Sequence, residues 1–307
     1  MRKPKSNLPT GKPRTLGRPE ISPERLSDLR NKIRGFLGTL PPEAGSREEA
    51  LKLAETRLDL KREEIKKSLA RRLEKLESVA DTSPIEEKLK LSKKLIKLLP
   101  DETHRRMWEE RAKNWVRIEK RQVFLATLDS ILRNVELKPN DSIASLGSGN
   151  GVFETFIAKE IIPKGRMTCV DYAKNMNIEA RNLARANGAK NVGFVTGAMD
   201  RIPLASDSQD VVMSINSLQW VKNWRRAISE MRRIMKKTPD SRAVISVNHF
   251  EGSHQRANWG GERLVAQLRR QGFSTLHGTS FVTESQTRDG PFMRDVIVAK
   301  IDPEFKQ

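Results

Sequence analysis

The stretch 142-SIASLGSGNGVFETFIAKEI-161 begins apolar, passes through glycine at positions 147, 149 and 151, and then takes on helical periodicity. A chain written this way leaves an extended segment, turns sharply and enters a helix. Glycine tolerates positive φ and carries no side chain, so a ligand can touch the backbone of Gly147, Gly149 and Gly151. The helix that follows offers free N–H groups and the positive end of its dipole, suited to a carboxylate or phosphate. Asp171 closes the next apolar segment, 24 residues after Gly147. An acid there can accept hydrogen bonds from both hydroxyls of a ribose. Turn and acid together imply an adenosine-containing cofactor.

Outward from this stretch, short apolar segments alternate with helical patterns. Strands are predicted near 142–146, 166–170, 191–195, 209–215 and 242–248, and helices near 151–161, 174–187, 222–236 and 258–271. Alternation of this kind implies a parallel, doubly wound α/β sheet. Two further strands, near 276–283 and 292–300, follow each other with no helix between and suggest an antiparallel finish.

The nicotinamide fingerprint G-x-G-x-x-G needs a glycine three residues beyond the second, where this chain has Val152. The turn instead resembles motif I of class I S-adenosylmethionine-dependent methyltransferases, hydrophobic-acid-hydrophobic-G-x-G-x-G. The segment from Val170-Asp171-Tyr172 to Met176 resembles that family's second motif: strand end, ribose acid, then a helix whose methionine lies over the cofactor. Phe194 to Leu204 is similar to its adenine loop, Asp207 to Val212 to its lead into the fourth strand, and Ser214 to Val221 to its substrate-side segment. Met107-Trp108 to Trp115 resembles the aromatic helix that many type 11 members place before the first strand.

The resemblance covers about residues 105–300 and implies a Rossmann-like seven-stranded sheet, mostly parallel with an antiparallel last strand. It implies S-adenosyl-L-methionine as cofactor, held by Ser145, Gly147, Gly149, Gly151, Asp171, Tyr172, Met176, Ala198, Met199 and Asn216. Asn216, Gln219 and Trp220 are expected beside the methyl group as positioning or stacking residues. The chain departs from the pattern twice: Ser145 replaces the first strand's acid, which contacts the methionine amino group, and Ala198 replaces the adenine-loop acid, with Asp200 nearby as a substitute. Pyrimidine C5 methylation needs a cysteine at the substrate side, whereas Cys169 stands beside the ribose acid as a small core residue. The Asn/Asp-Pro-Pro-aromatic motif of exocyclic amino methylation is also missing from Asn216-Ser217-Leu218-Gln219.

Residues 1–102 differ in kind. Residues 1–18 hold six basic and no acidic side chains, and 1–21 read as a flexible basic arm. Ser22-Pro23-Glu24 reads as an N-cap followed by proline at the first helical position, opening a helix to about Leu37. A longer amphipathic helix starts at the capping box Ser46 to Glu49, another runs over 84–98, and together 22–102 suggest a basic helical hairpin or small bundle. The methyltransferase-like domain is expected over 103–307.

The net charge is +19, and residues 1–100 carry 25 Lys and Arg against 15 Asp and Glu. Such an excess suits polyanions, nucleic acid first. RNA, gripped through its phosphates by the arm and by the cationic helix 222–236, is the expected partner. That helix carries Lys222, Arg225, Arg226, Arg232 and Arg233, with Lys236 and Lys237 at its end. One cysteine excludes an intrachain disulfide, the scattered histidines suggest no metal site, and no apolar run reaches membrane-spanning length. A cytoplasmic setting is expected, since the N-terminus lacks an apolar signal core and its prolines oppose a transit-peptide helix. Three functions remain open on sequence: methyl transfer to ribosomal or transfer RNA, methyl transfer to a small molecule, and a catalytically silent RNA- or ribosome-binding protein.

Overall fold

The computed structural model describes residues 22–40, 104–112, 121–250, 261–282, 292–302 and 305. The basic arm 1–21, the long helix from Ser46 and the helix 84–98 lie outside the described residues.

Seven strands form one sheet: β1 (Ser142–Leu146), β2 (Arg166–Asp171), β3 (Val192–Thr196), β4 (Val211–Ile215), β5 (Arg242–Phe250), β6 (Phe273–Val282) and β7 (Phe292–Ile301). Their order is β3-β2-β1-β4-β5-β7-β6. The first five run parallel, and β7 is antiparallel to both β5 and β6. The central strands are buried on both faces, which explains why β4 reads Val-Val-Met-Ser-Ile rather than as an alternation. Alternate residues still serve different layers. Ile143, Met167, Cys169 and Met213 face one core, while Ala144, Leu146, Val170 and Val212 face the other.

The first core lies beneath helices α1 (Pro23–Thr39), α2 (Arg121–Asn134) and α3 (Val152–Phe156), the last continuing as a π-helical turn over Ile157–Ile161. Helix α4 (Lys174–Ala186) packs against β2 and β3. The second core is covered by α5 (Trp224–Ile234) and α6 (Gly261–Arg270). No helix among the described residues is long and apolar enough to cross a membrane.

Helix α1 begins as its sequence predicts, with Ser22 Oγ accepting from the Arg25 N–H at 3.3 Å and Pro23 in the first turn. Its packing differs from a self-contained N-terminal region. Leu29, Ile33, Phe36, Leu37 and Leu40 are buried in the core of the sheet domain, where Phe36 meets Phe156 and Phe124 at centroid distances of 5.6 and 6.5 Å. Arg30 pairs with Asp129 on α2 at 3.2 Å. The division expected at 102/103 therefore does not separate α1 from the sheet: an amphipathic stripe must be buried, and the surface exposed by Phe124, Phe153 and Phe156 buries it.

Candidate active site

The strand order reverses direction around β1, and crevices at the carboxyl ends of such strands receive ligands. Here a cavity of about 300 Å³ lies over the ends of β1, β2, β3 and β4. The glycine turn forms its floor, and all three glycines have positive φ. Two of them are required by packing as well as by conformation. A Cβ on Gly147 would collide with Met199 Cε and Ser217 Cβ, and one on Gly151 would stand 2.9 Å from Ala180 Cβ on α4. The turn is thus pressed between its neighbours, and its remaining face is bare backbone. The Gly149 N–H donates to Asp171 Oδ2 at 2.9 Å, so turn and acid are one assembly.

Asp171 Oδ1 accepts from the Ala173 N–H, also at 2.9 Å. Burial pushes the Asp171 carboxyl up to about 6, against the opposing pull of the Ala173 and Gly149 N–H groups. A buried acid held by backbone donors, beside bare glycine and lining this cavity, fits a nucleoside diol.

Most of the other predicted site residues line the same cavity; Ser145, Gly151 and Gln219 do not. Tyr172 and the buried Met176 line it from the start of α4, and Ala198, Met199 and Asp200 line it from the loop after β3. Asp200 is engaged by Asn223 Nδ2 at 2.9 Å. Asn216 and Trp220 line the β4 side. Asn216 holds a left-handed backbone at φ 52, a conformation asparagine tolerates better than most residues and one that recurs at functional sites. Gln219 Nε2 donates to Asn216 Oδ1 at 2.9 Å, so these two amides are oriented by each other. Trp220 is 45% exposed. Ser145 does not line the cavity itself; it is buried beneath the turn, where its hydroxyl donates to Glu154 Oε1. Cys169 is buried in the core, as expected for a small apolar side chain, and burial raises its thiol well above the usual range.

Four features were not anticipated from sequence. Leu37 and Leu40, at the end of α1, contribute to the cavity wall. Glu154, a carboxylate 1% exposed, lines its floor. His104 completes an aromatic cluster with Trp108, Tyr172 and Trp220, accepting from Trp108 Nε1 at its Nε2 (3.1 Å) and meeting the Tyr172 hydroxyl at its Nδ1 (2.7 Å). Glu109 then clamps this helical segment, 104–112, onto α4: its carboxylate accepts from the N–H groups of Lys174 and Asn175 at 2.7 and 2.6 Å. A negative charge at a helix N-terminus is electrostatically favourable, and the pairing fixes the aromatic roof over the cavity.

The cationic helix needs correction. Of its seven basic residues, Arg233 is committed to structure: its guanidinium grips both oxygens of Glu230 and the carbonyls of Ile202 and Leu204. Lys236 pairs with Asp210 at 2.9 Å, and Arg232 lies over Phe305. The exposed basic residues are Lys222, Arg225 and Arg226 around the start of α5 and Lys237 beyond its end, the last pairing with Asp207 at 3.5 Å, and Lys222 lines the cavity.

A doubly wound sheet of this order, with a glycine turn after β1 and an acid after β2, defines the class I methyltransferase arrangement. Residues 143–238 match the family model described as a methyltransferase domain, which with the fold supports a class I S-adenosylmethionine-dependent methyltransferase. Among curated relatives, the arsenite methyltransferase of Halobacterium salinarum is 32% identical over 36% of this chain and 28% of its own length. The malonyl-[acyl-carrier protein] O-methyltransferase of Methylococcus capsulatus is 28% identical over 49% of this chain and 48% of its own. The chain thus spans less than half the length of these relatives. The [4+2]-cyclase SpnF superposes with a TM-score of 0.50 at 15% identity, over 58% of this chain and 81% of that one, a likeness of fold alone.

Proposed function

We propose that this protein transfers the methyl group of S-adenosylmethionine to an RNA. The observation that carries the reading is the composition of one cavity: glycine turn and Asp171 on its floor, Trp220 and Lys222 at its mouth. When bound, S-adenosylmethionine supplies a methyl group already activated on a sulfonium. What this chain must add is position, because in-line placement of a nucleophile accounts for a large part of such rate enhancements. Asp171 would hold the ribose, and the Asn216–Gln219 amide pair would orient the acceptor. Both nitrogens of His104 are engaged by Tyr172 and Trp108, so this imidazole is a scaffold rather than a base. An acceptor with a free lone pair at neutral pH suits a site of this kind. The exposed Trp220 face offers stacking to a planar base, and Lys222, Arg225 and Arg226 supply charge for adjacent phosphates.

A second reading, transfer to a small or carrier-linked molecule, is favoured by the activities for which the relatives are named. A thiophilic acceptor such as arsenite is disfavoured, because the single cysteine is buried with a raised thiol. Incubating the protein with methyl-labelled S-adenosylmethionine and total cellular RNA, with and without ribonuclease, separates the readings. Ribonuclease-sensitive label is expected. Label found only in carrier-protein or small-molecule fractions supports the second reading, and no label anywhere supports a silent scaffold.

A further inference from the structure

Glu154 stands in the first turn after Gly151, and its side chain is directed inward instead of to solvent. It is 1% exposed, as is Ser145, whose Oγ donates to Glu154 Oε1 at 2.5 Å. A carboxylate in such surroundings is costly unless positive charge or several donors oppose it. Its field reaches the neighbouring strand: after burial, Glu154 is the largest influence raising the Cys169 thiol. The group also lines the cavity floor beside Gly149 and Asn150.

Sheet order tells which end of a ligand it would meet. Across the cavity the strands run β3-β2-β1-β4. Asp171 closes β2, and Ala198 and Met199 follow β3. A nucleoside with its ribose on Asp171 and its base toward β3 sends its 5′ substituent over β1 and β4. Beneath that path lies the Ser145–Glu154 pair. In S-adenosylmethionine this substituent ends in an α-ammonium and a carboxylate, and only the ammonium suits a buried anion.

We propose that Glu154, oriented by Ser145, is the anionic anchor for the α-ammonium of the cofactor's methionine moiety. The charge that the family resemblance places on β1 is carried instead by α3, with serine and glutamate having exchanged places across one hydrogen bond. This rests on the reading of the cavity as the S-adenosylmethionine site.

Calorimetry on the full chain tests it with two ligands: S-adenosylhomocysteine, and its desamino analogue, which keeps the carboxylate and loses the ammonium. The wild type should prefer the first by about tenfold or more, the usual weight of a charge-assisted hydrogen bond. Glu154→Gln should bring that preference close to one, mainly by weakening S-adenosylhomocysteine. The relocated pair Ser145→Asp with Glu154→Ala should restore it, and covers the case in which Glu154→Gln alone fails to fold. A wild type that binds both ligands equally overturns the anchor while leaving the cavity assignment standing. Equal weakening of both ligands by Glu154→Gln does the same. A wild type that binds neither ligand overturns the cavity assignment, and the anchor with it.

Discussion

Asp171 is poised between two demands of opposite sign. Its folded-state pKa, about 6, lies above the ordinary carboxylate value of 3.8. In the ligand-free protein this group's stabilising effect is complete below 3.8 and is lost as pH rises through 6. Ribose hydroxyls donate, so they require the ionised form. Cofactor affinity should accordingly be flat above about pH 7 and weaken as pH falls through 6, approaching tenfold per unit below it. Asp171→Asn should weaken binding by about tenfold or more and remove the pH dependence across this window. Titration calorimetry at pH 5, 6 and 7 on both proteins reads the effect; an affinity that is level across that range would mean the carboxylate does not face the ligand. The position of Asp171 was legible because glycine turn, strand end and acid are fixed in sequence separation. Glu154 was not: it is one charged residue among Val152, Phe153, Phe156 and Ile157, and only burial distinguishes it from a solvated helix face.

Helix α5 shows how an element can be placed correctly while its surface is misread. Its apolar stripe follows the helical period, so its position was evident, and Ile228 and Met231 are buried as that stripe requires. Which cations remain for a partner depends on loops distant in sequence. Arg233 closes over Ile202 and Leu204, and Glu230 accepts from the Ile202 N–H at 2.9 Å, tying α5 to the loop that carries Ala198 and Met199. The Arg233 guanidinium beside Glu230 holds that carboxyl below its usual range. Two classes of variant should therefore separate. Replacing Arg225 and Arg226 with alanine should weaken RNA binding and leave S-adenosylmethionine affinity nearly unchanged. The slope of log affinity against log salt should fall by about 0.7 for each phosphate no longer neutralised. Arg233→Gln should do the reverse: an unchanged salt slope, with cofactor affinity reduced through the loosened loop. Filter binding at three salt concentrations, paired with calorimetry, distinguishes them. Equal effects of the two variants on RNA would return α5 to the uniform cationic face its sequence suggests.

At the scale of the molecule, helix α1 packs with the sheet. The sequence divides basic helical segments from an aromatic-bearing α/β domain, but composition does not say which surface an amphipathic helix will cover. Helix α1 covers the sheet domain, buries five apolar side chains there and lends Leu37 and Leu40 to the cavity wall. Residues 1–21 carry charge and little apolar surface. Truncations should reveal the division. Removing residues 1–21 should leave the thermal midpoint and cofactor affinity near those of the full chain and lower the salt slope of RNA binding, since basic charge on a phosphate backbone acts through counterion release. Removing residues 1–40 strips Leu29, Ile33, Phe36, Leu37 and Leu40 from the core they share with Phe124 and Phe156. Each buried side chain of this type contributes about 1.5–3 kcal/mol, and a whole domain is stable by only about 5–15 kcal/mol. The longer deletion should therefore unfold the chain or drive it to aggregate, and Phe36→Ala alone should cost about 3–5 kcal/mol in urea denaturation. A 1–40 deletion that melts like the full chain and binds S-adenosylmethionine as tightly would show that α1 is an appendage, and that the cavity is complete without it.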